Sequence, residues 1–305
     1  MTPSEMVDMV RSHLDTSRNF LPGDIAMQHL HAAQQEIVRQ IIAENPTFYI
    51  ASTTLDLVSG TPLYDLPQNA RLGARILFAE NTQDDVGVRV PPARFREHFF
   101  IEEPGLLSLV HGYSFTLQGA QVRVTPEPVA SVTSAIRIWY GPEHGNMVQG
   151  VPTAATDTTV TLFETPNYTN NFGVVDLRDD YYNGMELRVI SGTGAGQSFS
   201  VSDYVGSTRT LTIDGTFTTA LVTSGEDASV VALMCPVPEG FHALLPLRAA
   251  LLASPRHRTR QKELEREYYG AMGARPGLLY NLLSWVSRRS DDATQRVEPV
   301  DYGDV

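Results

Sequence analysis

Cysteine is almost absent from this chain of 305 residues, in which Cys235 is the only one. A single thiol excludes an internal disulfide and a metal site built from several cysteines. The fold must therefore rest on its own apolar core, and a hydrophobic content of 42% is enough for one large or two modest globular units. We expect Cys235 to be a small buried residue.

Positive charge is also scarce, since 23 basic residues stand against 35 acidic ones and the net charge is -12. This balance argues against a surface that lies wholly along a nucleic acid. The one basic cluster comprises Arg256, Arg258, Arg260 and Lys262. It fits the start of a helix with i,i+4 pairs to later glutamates, and it equally fits a surface that faces an acidic partner or packaged DNA.

Long apolar runs and catalytic motifs are missing as well. No stretch approaches the roughly 18 consecutive apolar residues of a membrane span, and the first residues, MTPSEMVDMVRSHLD, do not have the pattern of a signal peptide. Neither HExxH nor GxSxG occurs. We therefore predict no enzyme, and no catalytic, cofactor-binding or metal-binding residues.

The glycine-rich stretch SGTGAGQS carries Gly192, Gly194 and Gly196. A phosphate-binding loop would need a following lysine or a helix that begins at the glycines. Instead, runs of alternating polarity, MELRVI and QSFSVSDYV, flank the stretch. The pattern predicts a β-hairpin loop in which the glycines adopt positive φ.

Helical periodicity marks both ends of the chain. Thr2-Pro3-Ser4-Glu5 is a capping box that opens a helix to about Asp15, and a second helix ends before Pro46. Residues 241–253 are apolar nearly all round, which predicts a buried helix, with Pro246 requiring a kink or a late start. A charged helix follows over 256–272. The two ends together should form one helical domain.

Between the ends, period-two alternation predicts strands. Residues 52–67 (STTLDLVSGTPLYDLP) are interpreted as a β-hairpin, and residues 114–128 as another with its turn at Gln118-Gly119. Further strands are expected at 74–80, 86–92 and 135–141. The segment 147–233 is rich in Thr, Ser, Gly and Asp and has ten acidic residues against three arginines. It is predicted to be an inserted small β-barrel or sandwich.

The predicted fold class is α+β: a helical bundle formed by N- and C-terminal helices, a central antiparallel β region and an inserted all-β domain. The predicted domains are 1–146 with 234–275, then 147–233, and an extended C-terminal arm over 276–305. The arm either covers its own core or docks on a neighbour, and we favour the neighbour. Its docking residues would be Leu278, Leu279, Tyr280, Leu282, Leu283, Trp285 and Val286.

Several of these pieces, in this order, resemble a known family. The segments VSGTPLYDLP and CPVPEGFHALLPLRAALLA, with the strands between them, resemble head-to-tail adaptor (connector) proteins of tailed bacteriophages. The order is similar to that of the tail tubular A, or gatekeeper, type. The resemblance covers about 20–143 and 233–272. Residues 179–213 look like a small β module found inside phage virion proteins.

The resemblance implies a structural virion protein at the head–tail junction, assembled in the host cytoplasm. It implies a homo-oligomeric ring, usually of twelve copies, that joins the portal protein to the tail tube, nozzle or tail-completion protein. Double-stranded DNA would pass through its lumen without sequence-specific binding. The inserted module would be a platform for tail fibres or spikes, the arm after Pro276 would dock on the portal, and no membrane would be involved.

Two alternatives remain open at this point. Tyr181, Tyr182 and Tyr204 in the β module would suit a tail-associated protein that binds or cleaves glycans, if they form an aromatic platform beside carboxylates. The chain would also suit another neck, collar or tail-completion protein.

Overall fold

The computed structural model describes residues 1–16, 20–70, 76–81, 89–90, 113–254, 258–270 and 276–295. The predicted α+β class is confirmed by helices at both ends and antiparallel strands between them. The helices are α1 (Pro3–Leu14), α2 (Gly23–Glu44), α3 (Leu244–Ala253), α4 (Arg258–Tyr269) and α5 (Leu278–Gln295). The strands are β1 (Ala51–Leu57), β2 (Leu63–Asp65), β3 (Ile76–Asn81), β4 (Arg89–Val90), β5 (Ser114–Gln118), β6 (Gln121–Thr125), β7 (Val132–Tyr140), β8 (Val148–Gly150), β9 (Ala154–Ala155), β10 (Thr159–Thr161), β11 (Glu186–Ser191), β12 (Ser198–Val205), β13 (Thr210–Ile213) and β14 (Val230–Leu233).

The chain divides into two compact units, and the division differs from the predicted one. The first unit contains Met1–Phe48, His144–Leu177 and Tyr182–Val305, and the second contains Tyr49–Glu143 and Arg178–Tyr181. The segment 147–233, which was set apart by composition, thus belongs mostly with the helices. Polar contacts connect its start to the helices: the Ser4 amide of α1 donates to the Gln149 side chain of β8 at 3.0 Å, and side chains of α2 bond to the backbone just before β8.

Helix α1 begins where the sequence predicts it to begin. The Thr2 hydroxyl accepts from the Glu5 amide at 3.4 Å, and the Glu5 carboxylate accepts from the Thr2 amide at 2.8 Å. This reciprocal pair is the predicted capping box, which satisfies amide groups that have no partner within the helix. One face of α1, with Met6, Val7 and Val10 fully buried, then packs against α2 and α3.

Helix α3 is buried on nearly all sides, as its composition predicts. It contacts α1, α2 and α4, and Leu244, Leu245 and Leu247 are almost completely inaccessible to solvent. Pro246 lies in its first turn, where the missing N–H would have no intrahelical partner. The helix accordingly starts late, after a 3₁₀ turn at Glu239–Phe241.

The segment after Pro276 is a helix and not the predicted extended arm. Over Leu278–Gln295 it forms α5, which packs against α2 and α4. Its apolar residues recur at helical spacing, so one stripe can be buried in the chain's own core. A bridge joins Gly270 to Pro276 just before the helix, and a Cβ on Gly277 would lie 2.3 Å from the Gly270 nitrogen. Residues 296–305 of the predicted arm lie outside the described residues.

The β part of the first unit is one antiparallel sheet of seven strands in the order β8-β14-β11-β12-β13-β10-β9. Its two edge strands, β8 and β9, are separated in sequence only by residues 151–153. Because so short a connection brings the edges within reach of each other, the sheet must curl toward a barrel. Its alternating inward residues, such as Leu187, Val189 and Leu211, are fully or almost fully buried.

The second unit contains two sheets around one core. A four-stranded sheet has the order β1-β7-β3-β4, and a three-stranded sheet has the order β2-β6-β5. The hairpin predicted at 114–128 is present as β5 and β6, with Gly119 at φ 62° in its turn. The hairpin predicted at 52–67 is wrong, because β1 pairs with β7 and β2 pairs with β6. The burial gained by packing the two sheets against each other outweighs the local pairing of β1 with β2.

Tyr64 fixes the turn between β1 and β2. Its ring is 9% exposed, and its hydroxyl accepts from the Val58 amide at 3.0 Å and donates to the Thr61 carbonyl at 2.6 Å. We expect Tyr64→Phe to lower the free energy of unfolding by about 1–2 kcal/mol, because both backbone groups lose their partner. Chemical denaturation measures this loss. The same change at the exposed Tyr280 is the control and should leave stability within about 0.5 kcal/mol.

Candidate functional site

The predicted docking residues of the C-terminal segment fall on opposite sides of α5. Leu282 and Val286 are 0% exposed and Leu279 is 8% exposed, so these three lie in the core of the first unit. Leu278, Leu283 and Trp285 are half-buried, and Tyr280 is 61% exposed. An extended surface made of all seven residues therefore does not exist in the folded subunit. The face available to a partner carries Tyr280 and Arg288.

Trp285 is the centre of an aromatic cluster that holds α5 in place. Its ring lies 5.9 Å from that of Phe48, which follows α2, and 5.7 Å from that of Phe241, which precedes α3. The guanidinium of Arg289 stacks over the same indole at 4.3 Å. Such edge and cation contacts add about 0.5–1.5 kcal/mol each beyond burial. Tryptophan, tyrosine and arginine are also the residues most often found at the centre of protein interfaces.

The PEGFH segment before α3 joins three parts of the first unit. Glu239 forms an ion pair with Arg188 of β11 at 3.1 Å, and Phe241 contacts Trp285 of α5. The Nε2 atom of His242 donates to the Val237 carbonyl at 2.8 Å, and burial lowers the pKa of this imidazole. Glu239 and Phe241 thus connect this turn to the seven-stranded sheet and to α5, and His242 fixes the turn itself.

The predicted basic cluster is only partly described. Arg256 lies outside the described residues, and Arg258 and Arg260 occupy the first turn of α4, although their side chains are not described. Lys262 is exposed on the same helix. The choice between a solvated helix start and a partner-facing surface therefore stays open, and both remain predictions.

The glycine stretch is a hairpin loop, as predicted, and four of its backbone amides are already used. It connects β11 and β12, with φ values of 76° at Gly192, 82° at Gly194 and 90° at Gly196. The amides of Thr193, Ala195, Gly196 and Gln197 all donate to backbone carbonyls of this unit. A phosphate cradle needs successive amides that point outward to the ligand. These four amides do not form one.

Gln197 clamps that loop, and the sequence did not predict it. Its Oε1 accepts from the amides of Thr218 and Thr219 at 2.8 and 3.3 Å, and its Nε2 donates to the carbonyls of Gly194 and Thr219, both at 3.0 Å. The partners lie as far as 22 residues away. No local spacing rule could have connected them.

The three tyrosines that suggested a glycan platform are buried. Tyr182 and Tyr204 are 0% and 1% exposed, and their rings meet edge to face at 4.7 Å. The Tyr182 hydroxyl accepts from the Asp176 amide at 2.9 Å, and the Tyr204 hydroxyl donates to the Asp176 carbonyl at 2.5 Å. Tyr181 is 5% exposed. These side chains build the core, so the proposed platform is wrong.

Cys235 is buried, as predicted, and burial raises the pKa of its thiol to about 12. Within the described ranges, no group of three or more His, Cys, Asp or Glu side chains could hold a metal ion. No helix among the described residues is long and apolar enough to cross a bilayer.

No protein-family model matches this chain, and no curated protein matches it either.

Gly192 provides a test of the loop packing. A Cβ there would lie 2.1 Å from the Ala228 carbonyl oxygen, whereas a Cβ on Gly196 would meet nothing within 4 Å. Both positions have positive φ, so either alanine costs about 1–2 kcal/mol of backbone strain. We expect Gly192→Ala to destabilise by at least about 2 kcal/mol more than Gly196→Ala in chemical denaturation. Equal losses in the two variants would show that the contact with Ala228 is unimportant.

Leu282 provides a test of whether α5 is part of the core. We expect Leu282→Ala to lower the free energy of unfolding by about 2–5 kcal/mol, because a fully buried side chain is removed. Leu283→Ala, on the half-buried side of the helix, should lower the free energy of unfolding by less than about half of that amount. Thermal and urea unfolding of both variants measures the difference. A neutral Leu282→Ala would indicate that α5 does not stay docked in solution.

Proposed function

We propose that the chain is a structural adaptor of a phage neck. Copies of it form a ring, of about twelve subunits by analogy with the family it resembles, that joins the portal at the capsid vertex to the tail. A bundle of the N- and C-terminal helices forms the ring body, with a central antiparallel β region and an inserted all-β module. The protein has no catalytic role in this proposal and acts in the virion at the head–tail junction.

The observation that best supports this proposal is how α3 and the PEGFH segment are used. Of the residues that carry the resemblance, the apolar α3 packs against three other helices, Phe241 contacts Trp285, and Glu239 forms an exposed ion pair with Arg188. Helices from both ends of the chain meet at α3, with the β segments between them in sequence. This order of elements supports the proposal, because it is the order of the family that the chain resembles.

The burial of individual residues decides which surfaces of α5 a partner could contact. Since Leu282 and Val286 are fully buried, contact with the portal through this segment would use the outer face of α5, with Tyr280 and Arg288, or the half-buried Trp285. The tail tube, nozzle or tail-completion protein would bind the opposite end of the ring. Fibres or spikes would attach through the seven-stranded sheet.

The charge of the protein suits a lumen through which DNA slides. With a net charge of -12, most of its surface repels phosphate, and repulsion keeps a passing duplex hydrated and mobile. The basic residues at the start of α4 would be the exception, as a local contact with DNA or with an acidic neighbour.

The test is assembly on a purified portal. We expect mass photometry and negative-stain images to show a ring of this protein mounted on the portal, with the free protein monomeric or weakly associated. Tyr280→Ala tests the exposed face of α5, and Phe20→Ala, at an exposed aromatic residue outside α5, is its control. If only monomer is found in the presence of portal, the adaptor role is wrong.

A further inference from the structure

The segment 144–147, here called the strap, is held in an unusual way. It starts at the first residue after the second unit, runs directly into β8, and belongs to no helix or strand. Even so, Gly145 and Met147 are buried, and the Met147 side chain is 0% exposed. A buried backbone without a sheet neighbour needs other partners for its polar groups.

Two side chains of α2 supply those partners. The Nε2 atom of His31 donates to the Met147 carbonyl at 3.0 Å, and the Nε2 atom of Gln34 donates to the Gly145 carbonyl at 2.8 Å. Alternate carbonyls of an extended chain are spaced by about 6.6 Å, close to the roughly 5–6 Å between side chains three apart on a helix. The α2 pair therefore replaces a neighbouring strand.

The strap is packed against α2, but two buried polar atoms at this contact have no hydrogen-bond partner. The Oε1 atom of Gln34 and the Oδ1 atom of Asn146 are buried without a hydrogen-bond partner. A buried acceptor without a donor costs about 1–3 kcal/mol, and opening to water would remove that cost. With few regular backbone bonds of its own, the strap belongs to the part of the unit that opens most easily.

We propose that the strap is an acid-opened latch: neutral His31, with Gln34, holds residues 144–147 against α2, and protonation of His31 releases them. The proposal does not depend on the adaptor function.

The electrostatics of His31 agree with this geometry. Burial lowers the pKa of His31 from 6.5 to about 4, although the bond to the Met147 carbonyl acts in the opposite direction. Burial also lowers the pKa of His144, on the strap itself, to about 4. A group whose pKa is depressed in the closed state of the strap binds more protons in the open state at the same pH. The closed state is thus fully favoured above about pH 6.5, and loses stability as the pH falls from there toward 4.

The other charged groups around α2 are mostly occupied by partners. Among the titratable and charged residues of α2 and of the helices packed on it are two ion pairs, Asp8 with Arg11 and Glu36 with Arg248, both at 2.9 Å. The rest comprise Glu5, which caps α1, Arg289, which stacks on Trp285, and also Asp24, His29, Arg39, Glu44, His13 and Arg288. Burial lowers the pKa of His29 too. His29 is therefore the natural control.

Native methionines provide the test. Peroxide oxidises an exposed methionine to its sulfoxide, and mass spectrometry locates the product. We expect Met147 to oxidise roughly thirty-fold faster at pH 5 than at pH 7.5, from a shift of about 2.5 pKa units between closed and open states. Met6, Met27 and Met234, which are 0%, 2% and 3% exposed, should remain slow at both values.

Two variants identify the responsible group. Both are made in a His144→Gln background, because His144 on the strap would add an acid response of its own. There His31→Gln keeps an N–H donor but cannot titrate, so its Met147 should stay protected at pH 5. His29→Gln should behave like the His144→Gln protein. The latch is refuted if Met147 is equally slow at both pH values, if all four methionines accelerate together, or if His31→Gln keeps the acid response. The comparison among methionines needs no variant, so it holds even if His31→Gln folds poorly.

Discussion

The first unit depends on the burial of α3. This helix comes late in the chain, yet it contacts α1, α2 and α4, and seven of its ten residues are buried. Without α3, α1 and α2 would lose their largest common packing partner, and α4 would be left packed against α5. Because hydrophobic burial is non-directional, it brings these helices together but does not fix their register. The register must come from directional contacts.

Those directional contacts are few and link residues far apart in sequence. The Ser4 amide bonds to Gln149, and Arg188 pairs with Glu239. Each joins a helix or its preceding turn to a strand of the seven-stranded sheet. Gln197 acts similarly inside the sheet, where one amide group satisfies several backbone partners. These bonds are part-buried or exposed, so each one orients its elements more than it adds stability.

Local patterns in the sequence predict helices, strands and turns better than they predict which strands pair with each other. The capping box at Thr2, the late start at Pro246 and the glycine hairpin were all predicted, because each depends on residues close together in sequence. The hairpin at 52–67 was not, since residues of β1 and β2 pair with residues about 56 to 89 positions away. The extended form of the C-terminal segment was wrong for the same reason: helical spacing at Leu279, Leu282 and Val286 was visible, but the core that receives them was not. His31 and Gln34 interrupt the apolar face of α2, and that interruption was the available signal for a buried polar contact.

The curled seven-stranded sheet has a further consequence for a protein that reaches high local concentration. Open sheet edges can recruit strands from other molecules and start fibrous aggregates. Here both edge strands are very short, Val148–Gly150 and Ala154–Ala155, and Gln149 on the first is already bonded to Phe172 in both directions. The sheet therefore offers almost no template for cross-molecular pairing, and many copies can be crowded together without polymerising through this module.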